Sequence, residues 1–143
     1  MILPDVNVLL AAHREELPDH PTAHKWLTKV LSDDEPVAIP DFVLVAVYRL
    51  ATTPSIFNPP SSTDKILGFI EAVRTAPAAM PIRAGTKSWS KFGQLAKAQT
   101  IRGAASTDAM IAALCYEHGC TLYTYAQGFS RFPGLRYTRP SAW

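Results

Sequence analysis

The stretch MILPDVNVLL, residues 1–10, places a carboxylate and an amide inside a run of apolar side chains. The apolar residues ahead of Asp5 predict a short buried strand over residues 1–5, after which Val6–His13 can form a first helix. A carboxylate in such a run is costly to bury unless a hydrogen-bond donor or a positive charge meets it. Asp5 therefore either lies where the chain leaves the core or has a partner elsewhere in the sequence.

Downstream of this stretch, short apolar segments alternate with segments of helical periodicity. The further predicted strands are residues 37–39, 79–82, 121–125 and 135–137. After the first helix, five more are predicted. The second begins at residues 19–21, the third covers Phe42–Leu50 after Asp41, and the fourth begins at Thr63. The fifth carries Trp89 and Leu95 on one face, and the sixth runs from Ser106 to Gly119. This alternation predicts a single α/β domain over residues 1–143, with a parallel sheet of four to five strands and helices on both faces.

The composition fits one domain with an ordinary core: 48% of the residues are hydrophobic, 18% are charged, and the formal net charge is +2. Because so apolar a chain is unusual for a small monomer, we expect a partner to cover part of its surface. Cys115 and Cys120 are expected to be small buried thiols in a reducing compartment. Since the sequence contains neither a secretion signal nor an apolar segment of membrane-spanning length, we expect a cytoplasmic protein without membrane contact.

Three aspartates stand at the ends of predicted elements. Asp5 ends the first strand, Asp41 follows the second, and Asp108 lies in the first turn of the helix that leads into the fourth. Ligands of parallel sheets gather beyond the carboxyl ends of the strands, so all three carboxylates can lie at one edge. Clustered carboxylates repel each other, and a hard cation with oxygen ligands, such as Mg²⁺, relieves that repulsion. Such a metal can activate water for phosphodiester hydrolysis.

Each of these residues also has an ordinary structural interpretation. Asp5 could cap the helix that begins at Val6, and Asp41 could cap the helix after it. Asp108 could be an acid that complements the helix dipole, and Asn7 could be an ordinary helix residue instead of one that orients a metal ligand. On spacing alone, both interpretations stay open.

Other ligand classes have less support. His20 and His24 have a spacing that can bind zinc, but the sequence offers no obvious third ligand. The sequence contains no glycine-rich phosphate-binding motif, so a nucleotide cofactor is not supported. The basic side chains that could engage phosphates are Arg14, Arg49, Arg102 and Arg131.

Six segments carry a family likeness, in order along nearly the whole chain: residues 5–14 (DVNVLLAAHR), 20–27 (HPTAHKWL), 49–54 (RLATTP), 107–114 (TDAMIAAL), 117–120 (EHGC) and 128–135 (GFSRFPGL). Together they resemble the PIN-domain ribonucleases of the VapC toxin family. The resemblance implies a PIN-like three-layer fold and endonucleolytic cleavage of RNA with Mg²⁺ or Mn²⁺. It also implies a homodimer and neutralisation by a cognate VapB-type antitoxin.

The same resemblance assigns roles to particular residues. Asp5 and Asp108 match the family's metal ligands and catalytic acids. Asn7 and Thr124 are expected to support the site, since groups around a metal site commonly orient its ligands. Asp41 is the candidate for a third acid.

Two positions depart from the family pattern. Ala46 stands where many members carry a glutamate on the helix after the second strand, and Ala126 stands where an aspartate is expected after the fourth. The first hypothesis is a metal-dependent endoribonuclease toxin with a thinned acidic site. The alternative is a catalytically impaired PIN-fold module that binds RNA or antitoxin without efficient cleavage. The helices Phe42–Leu50 and Ile66–Val73 are the apolar surfaces expected to meet the dimer partner or the antitoxin.

Overall fold

Five short strands and six α-helices make up residues 1–141, the part of the chain that this computed structural model describes. The strands are β1 (Ile2–Pro4), β2 (Val37–Pro40), β3 (Ala79–Ile82), β4 (Thr121–Tyr123) and β5 (Tyr137–Thr138). The α-helices are α1 (Val6–His13), α2 (His20–Ser32), α3 (Asp41–Ala51), α4 (Thr63–Arg74), α5 (Thr86–Gln99) and α6 (Ala105–His118), and a 3₁₀ helix (Gly128–Arg131) follows β4. Over residues 1–141, no helix is long and apolar enough to cross a membrane.

The strands form one parallel sheet in the order β3-β2-β1-β4-β5, with β1 at its centre. Leu3 of β1 pairs with Leu122 of β4, and Pro4 pairs with Tyr123. Because neighbouring strands run in the same direction, the residues that follow β1 and β4 meet at one edge of the sheet. This register brings Asp5 next to the end of β4.

Helices cover both faces of the sheet. Helix α1 packs against α2 and α3, and α3 packs against α4, whereas α5 packs against α6. Crossovers between parallel strands are right-handed, so the connections from β1 to β3 and the return from β3 to β4 lie on opposite faces. The α/β prediction is therefore confirmed. Buried side chains between the layers include Leu3, Leu9, Trp26, Ile111, Leu122 and, as predicted, both Cys115 and Cys120.

Two helix starts differ from the predictions. Helix α6 begins at Ala105, so Ser106 is not its cap; the chain turns at Gly103, whose φ is +57° and whose carbonyl accepts the N–H of Ser106 at 3.0 Å. Helix α4 is capped by Ser62, whose hydroxyl accepts a backbone N–H of the first turn at 3.2 Å, and not by Thr63. Both errors are of one or two residues and leave the helices themselves unchanged.

The ends of two strands also differ. Strand β4 ends at Tyr123 instead of Tyr125, because the backbone N–H of Tyr125 donates to the side chain of Asn7 at 3.0 Å and not to a neighbouring strand. Strand β5 covers Tyr137–Thr138, shifted from the predicted residues 135–137. The early end of β4 is thus caused by a side chain from the start of α1.

The apolar helix α3 buries one face only. Val43 and Val47 are buried, whereas Val45 is 66% exposed. Asp41 is the first residue of the helix and Pro40 is its N-cap, so the predicted capping role of Asp41 is wrong. An exposed apolar residue in the middle of this helix fits the expectation that a partner covers part of it.

Candidate active site

Asp5 lies directly after β1 and caps helix α1. Its Oδ1 accepts the backbone N–H of Val6 at 2.7 Å, as the capping interpretation predicts. Its Oδ2 accepts the hydroxyl of Thr124 at 2.7 Å and the side-chain amide of Asn7 at 3.2 Å. The residue is only 4% exposed, and both oxygens of its carboxylate accept hydrogen bonds, as is usual for a buried polar group. The capping and the site interpretations of Asp5 are compatible, because each uses a different oxygen.

Asn7 and Thr124 connect the start of α1 to the end of β4. The Asn7 amide donates to the Thr124 hydroxyl at 3.1 Å, and its Oδ1 accepts the N–H of Tyr125 at 3.0 Å. The Thr124 hydroxyl also accepts the N–H of Ala126 at 3.0 Å. Since each of these groups has two or more partners, the network fixes the orientation of the Asp5 carboxylate.

Asp108 lies in the first turn of α6, half-buried and without a hydrogen bond within residues 1–141. Burial and the nearby Asp5 carboxylate raise the pKa of Asp108 above its ordinary value, and the Arg131 guanidinium acts in the opposite direction. Burial also raises the pKa of Asp5, against the hydrogen bonds from Thr124, Val6 and Asn7. The fold thus brings two carboxylates of like charge together at the edge where β1 and β4 end.

Arg131 is the cation of this region. It ends the 3₁₀ helix after β4, and its Nε donates to Oε1 of Gln99 at 2.8 Å. In return, Nε2 of Gln99 donates to the Arg131 carbonyl at 2.6 Å. Among residues 1–141, no ion pair within 4.0 Å joins Arg131 to Asp108, and the terminal amino groups of the guanidinium make no hydrogen bond. Gln99 therefore holds the guanidinium near the carboxylates while leaving its outer edge open.

The other predicted site residues add no further acid to this pair. Asp41 is exposed in the first turn of α3, and in the described part of the chain no contact joins it to Asp5 or Asp108. Ala46 is half-buried on the same helix, and Ala126 is exposed just after Thr124. A group of three or more acidic, histidine or cysteine side chains suited to a metal does not occur within residues 1–141.

The two carboxylates nevertheless suit a hard divalent cation. A carboxylate has about four lone-pair positions, and the hydrogen bonds to Asp5 use three of them. Asp108 keeps all of its own. Mg²⁺ is commonly held by one or two carboxylates and completes its shell with water and substrate phosphate, so the pair fits such an ion without a third acid.

Two features of this region are not evident from the sequence. The first is the contact of Gln99 with Arg131, because no motif surrounds Gln99 and the two residues are 32 positions apart in the sequence. Arg14, expected to be available to phosphates, is instead held inside the fold: it donates to Glu16, to the Pro59 carbonyl and to Ser61 at 2.7–3.0 Å. Of the four candidate arginines, Arg131 is the one that acts electrostatically on Asp108.

Comparisons with known proteins bear on the whole chain. A family model described as PIN domain matches residues 2–135. The chain is 37% identical over 140 residues to Ribonuclease VapC43 of Mycobacterium tuberculosis, covering 98% of this chain and 95% of the relative. It is 35% identical over 140 residues to Ribonuclease VapC31 of the same species, covering 98% and 99%.

Solved structures give the same fold at lower identity. The crystal structure of Mycobacterium tuberculosis VapC20, described as a sarcin–ricin loop cleaving toxin, has a TM-score of 0.74 at 18% identity and covers 98% of this chain and 100% of its own. The structure of VapBC2 from Rickettsia felis, bound to a DNA fragment from their promoter, has a TM-score of 0.70 at 17% identity and covers 97% and 98%. At such identity, these two likenesses concern the fold alone.

Proposed function

The chain belongs to the PIN-domain family of VapC ribonucleases, and from this premise we propose that it is a metal-dependent endoribonuclease, the toxin of a toxin–antitoxin pair. The observation that carries the proposal is the pair formed by Asp5 and Asp108. A buried carboxylate with a half-buried one near it, each with a raised pKa, forms an arrangement that a divalent cation would relieve. The identity of more than a third to a curated ribonuclease over nearly the full chain supports the same conclusion.

In this proposal Asp5 and Asp108 hold Mg²⁺ or Mn²⁺. When bound, the ion supplies an activated water and charge stabilisation for phosphodiester hydrolysis. Thr124 and Asn7 fix the carboxylate of Asp5 through their hydrogen bonds, so that its free lone pair keeps one direction. Asp108, without a hydrogen bond in the described chain, supplies the more adjustable carboxylate.

Arg131 binds the RNA backbone beside these acids. A guanidinium is permanently charged and matches the geometry of phosphate oxygens. Because Gln99 takes its Nε, the two terminal amino groups are left for the phosphate. Such contacts position the substrate and carry no sequence information, so the RNA target is set elsewhere.

The proposed partners are a second copy of the chain and a VapB-type antitoxin. VapBC2 of Rickettsia felis, FitAB bound to DNA and VapBC-1 of nontypeable Haemophilus influenzae are solved structures with similar chains. Helices α3 and α4 carry exposed apolar side chains, with Val45 66% and Leu67 49% exposed. We assign these two helices to the two partners.

The test is cleavage of a structured RNA by the purified chain in Mg²⁺, in Mn²⁺ and in chelator. We expect cutting with either metal, none with chelator, and loss of cutting in Asp5→Ala. Ala126→Asp restores the acid expected after β4, and an added supporting carboxylate should raise the rate by roughly 10–100-fold. Asp64→Ala is the control, because Asp64 is an exposed acid in the first turn of α4 and should leave cutting unchanged.

The outcomes separate the two functional hypotheses. Cutting by the unsubstituted chain that depends on Asp5 would establish that two acids suffice. Cutting by Ala126→Asp alone would mean that the scaffold is competent and that the chain as it stands is a binding module. A folded chain that cuts in none of these forms would contradict the ribonuclease proposal.

A further inference from the structure

An open cavity of about 350 Å³ lies between the segment that follows β4 and the end of β5. Its lining includes Thr124 and Ala126, the residues that directly follow β4. Thr124 therefore contacts both the cavity and the Asp5 carboxylate, because its hydroxyl donates to Asp5 at 2.7 Å. The volume lies within the range of small-ligand sites. A molecule in this cavity would be separated from the Asp5 carboxylate by Thr124.

The outer wall of the cavity combines aromatic rings with a cation. The guanidinium of Arg139 lies over the ring of Tyr125, 5.1 Å from its centroid. Such cation–π contact holds the guanidinium against the ring, and Arg139 is otherwise exposed. Tyr137 precedes Arg139 by two residues on an extended chain, so both side chains point to the same side, and Tyr137 is 40% exposed. A planar group entering the cavity thus meets a tyrosine ring and a guanidinium plane.

The cavity also offers polar groups with no partner. Gln127 and Ser130 line it from the segment after β4, and within residues 1–141 neither side chain makes a hydrogen bond. Together they present an amide and a hydroxyl, which can each donate and accept. This combination of a flat stacking surface with free donors and acceptors is typical of sites for unpaired nucleobases.

We propose that this cavity, lined by Tyr125, Gln127, Tyr137 and Arg139, binds one unpaired nucleotide of the RNA next to the phosphate that is cleaved. The inference rests on the proposed function, since it names a substrate subsite of the same reaction. The base stacks on Arg139 and Tyr137, and its edge meets Gln127. The adjoining phosphate then lies toward Asp5.

Binding in the presence of chelator tests this subsite without cleavage. The probes are a short single-stranded oligoribonucleotide and a matched oligomer that carries abasic riboses. We expect the unsubstituted chain to prefer the oligomer with bases, and Arg139→Gln and Tyr137→Ala each to lose roughly tenfold in affinity for it, the scale of one stacked base. Affinity for the abasic oligomer should hardly change in Tyr137→Ala. Arg83→Gln, which removes an exposed arginine elsewhere, is the charge-matched control.

Several results would overturn the subsite. If both variants bind the two oligomers as the unsubstituted chain does, the cavity takes no base; the same result is expected if a segment of a protein partner fills it instead. If Arg139→Gln and Tyr137→Ala weaken both oligomers equally, the contact is to phosphate only. In either case metal-dependent cutting by the unsubstituted chain would leave the ribonuclease proposal intact, whereas neither binding nor cutting of RNA would contradict both proposals. Thermal melting of each variant verifies that it is folded, which we expect because both side chains are exposed.

Discussion

Helix α1 has a charged residue at each end, and the two charges have opposite surroundings. At its C-terminal end, Arg14 contacts Glu16, the Pro59 carbonyl and Ser61, and its guanidinium lies 4.5 Å from the centroid of the Phe57 ring. At its N-terminal end, Asp5 is hydrogen-bonded but lies near a second carboxylate, Asp108. The first end is a completed network that anchors a loop. At the second end, two carboxylates lie near each other without a positive charge bound between them in the described part of the chain.

The difference separates a structural from a functional use of charge. A partly buried cation with a partner on each of its nitrogens adds to stability, because these contacts replace the hydrogen bonds lost to water. Two neighbouring carboxylates reduce the stability of the folded chain, since burial and mutual repulsion oppose their ionisation. Such an unbalanced pair is expected where a ligand completes the site and not where the fold alone must be satisfied.

The largest expected effect breaks the functional end. Asp108→Asn removes one of the two carboxylates with little change in shape, and we expect metal-dependent RNA cleavage to fall by more than about 100-fold, beyond the loss typical for residues that only support a ligand. Cleavage rate at saturating Mg²⁺ is the measurement. Asp64→Asn, which changes an exposed acid in the first turn of α4, should cleave normally. Equal activity of the two variants would remove Asp108 from the site.

The next effect breaks the structural end. Arg14→Gln removes a side chain that is 13% exposed and takes a donor away from the Pro59 carbonyl and from Ser61. The Ser61 hydroxyl keeps its hydrogen bond with Nε2 of His13 at 2.8 Å. We expect the free energy of unfolding to fall by about 2–3 kcal/mol, on the scale of hydrogen bonds to a charged group. Chemical denaturation measures this loss, with the exposed Arg49→Gln as control. Cleavage at a temperature where the variant is folded should be unchanged, and a large loss there would mean that Arg14 also contacts RNA.

A third substitution tests the cation beside the acids. Arg131→Gln should lower RNA affinity in chelator by roughly tenfold and reduce the slope of affinity against salt by about one, the signature of one lost phosphate contact. Gln99→Leu should give a smaller loss, because it frees the guanidinium without removing it. If Arg131→Gln has the RNA affinity and salt slope of Arg83→Gln, the control that removes an exposed arginine elsewhere, Arg131 only offsets the charge of Asp108.

The order of elements could be predicted from the sequence because it depends on local patterns. The run ahead of Asp5 and the periodicity around Trp26 are contained in short windows, and their strand and helix are found as predicted. The network of the site is different, since Asn7 and Thr124 are 117 residues apart. A hydrogen bond over that distance needs the β1–β4 register, which no local pattern specifies. Their supporting role could be predicted only in general terms, because groups around a metal site commonly orient its ligands.

The misplaced element ends have the same origin. The end of β4 was predicted from apolar composition, but Asn7 takes the N–H of Tyr125 and stops the pairing. Asp41 was predicted to be a helix cap or a third acid of the site, whereas it is the exposed first residue of α3. The contact between Arg139 and Tyr125 likewise requires β5 to lie beside β4. Each of these features is set by tertiary contacts.

The smallest expected effects are changes in stability with pH, and they distinguish the two ends of α1 by their sign. The pKa values of Asp5 and Asp108 are raised, so the folded chain holds protons that the unfolded chain releases, and stability falls as pH rises through that window. A hydrogen bond from its own backbone and the Arg14 side chain lower the pKa of Glu16, so its contribution is present above its ordinary pKa and is lost on acidification. The two ends of α1 therefore respond to acid with opposite signs.

Melting curves of Asp108→Asn and Glu16→Gln at neutral pH and at about pH 4 measure these signs. At neutral pH we expect Asp108→Asn to raise Tm by a few degrees, because it removes the repulsion of Asp5, and Glu16→Gln to lower Tm by no more than a degree or two, as for most exposed ion pairs. Both differences should shrink on acidification. Mg²⁺ at about 100 times its Kd would add about 2.7 kcal/mol to the unsubstituted chain and much less to Asp108→Asn. A lower Tm for Asp108→Asn at neutral pH, without a response of the unsubstituted chain to Mg²⁺, would mean that Asp108 is a structural acid like Glu16, and the contrast between the two ends would not hold.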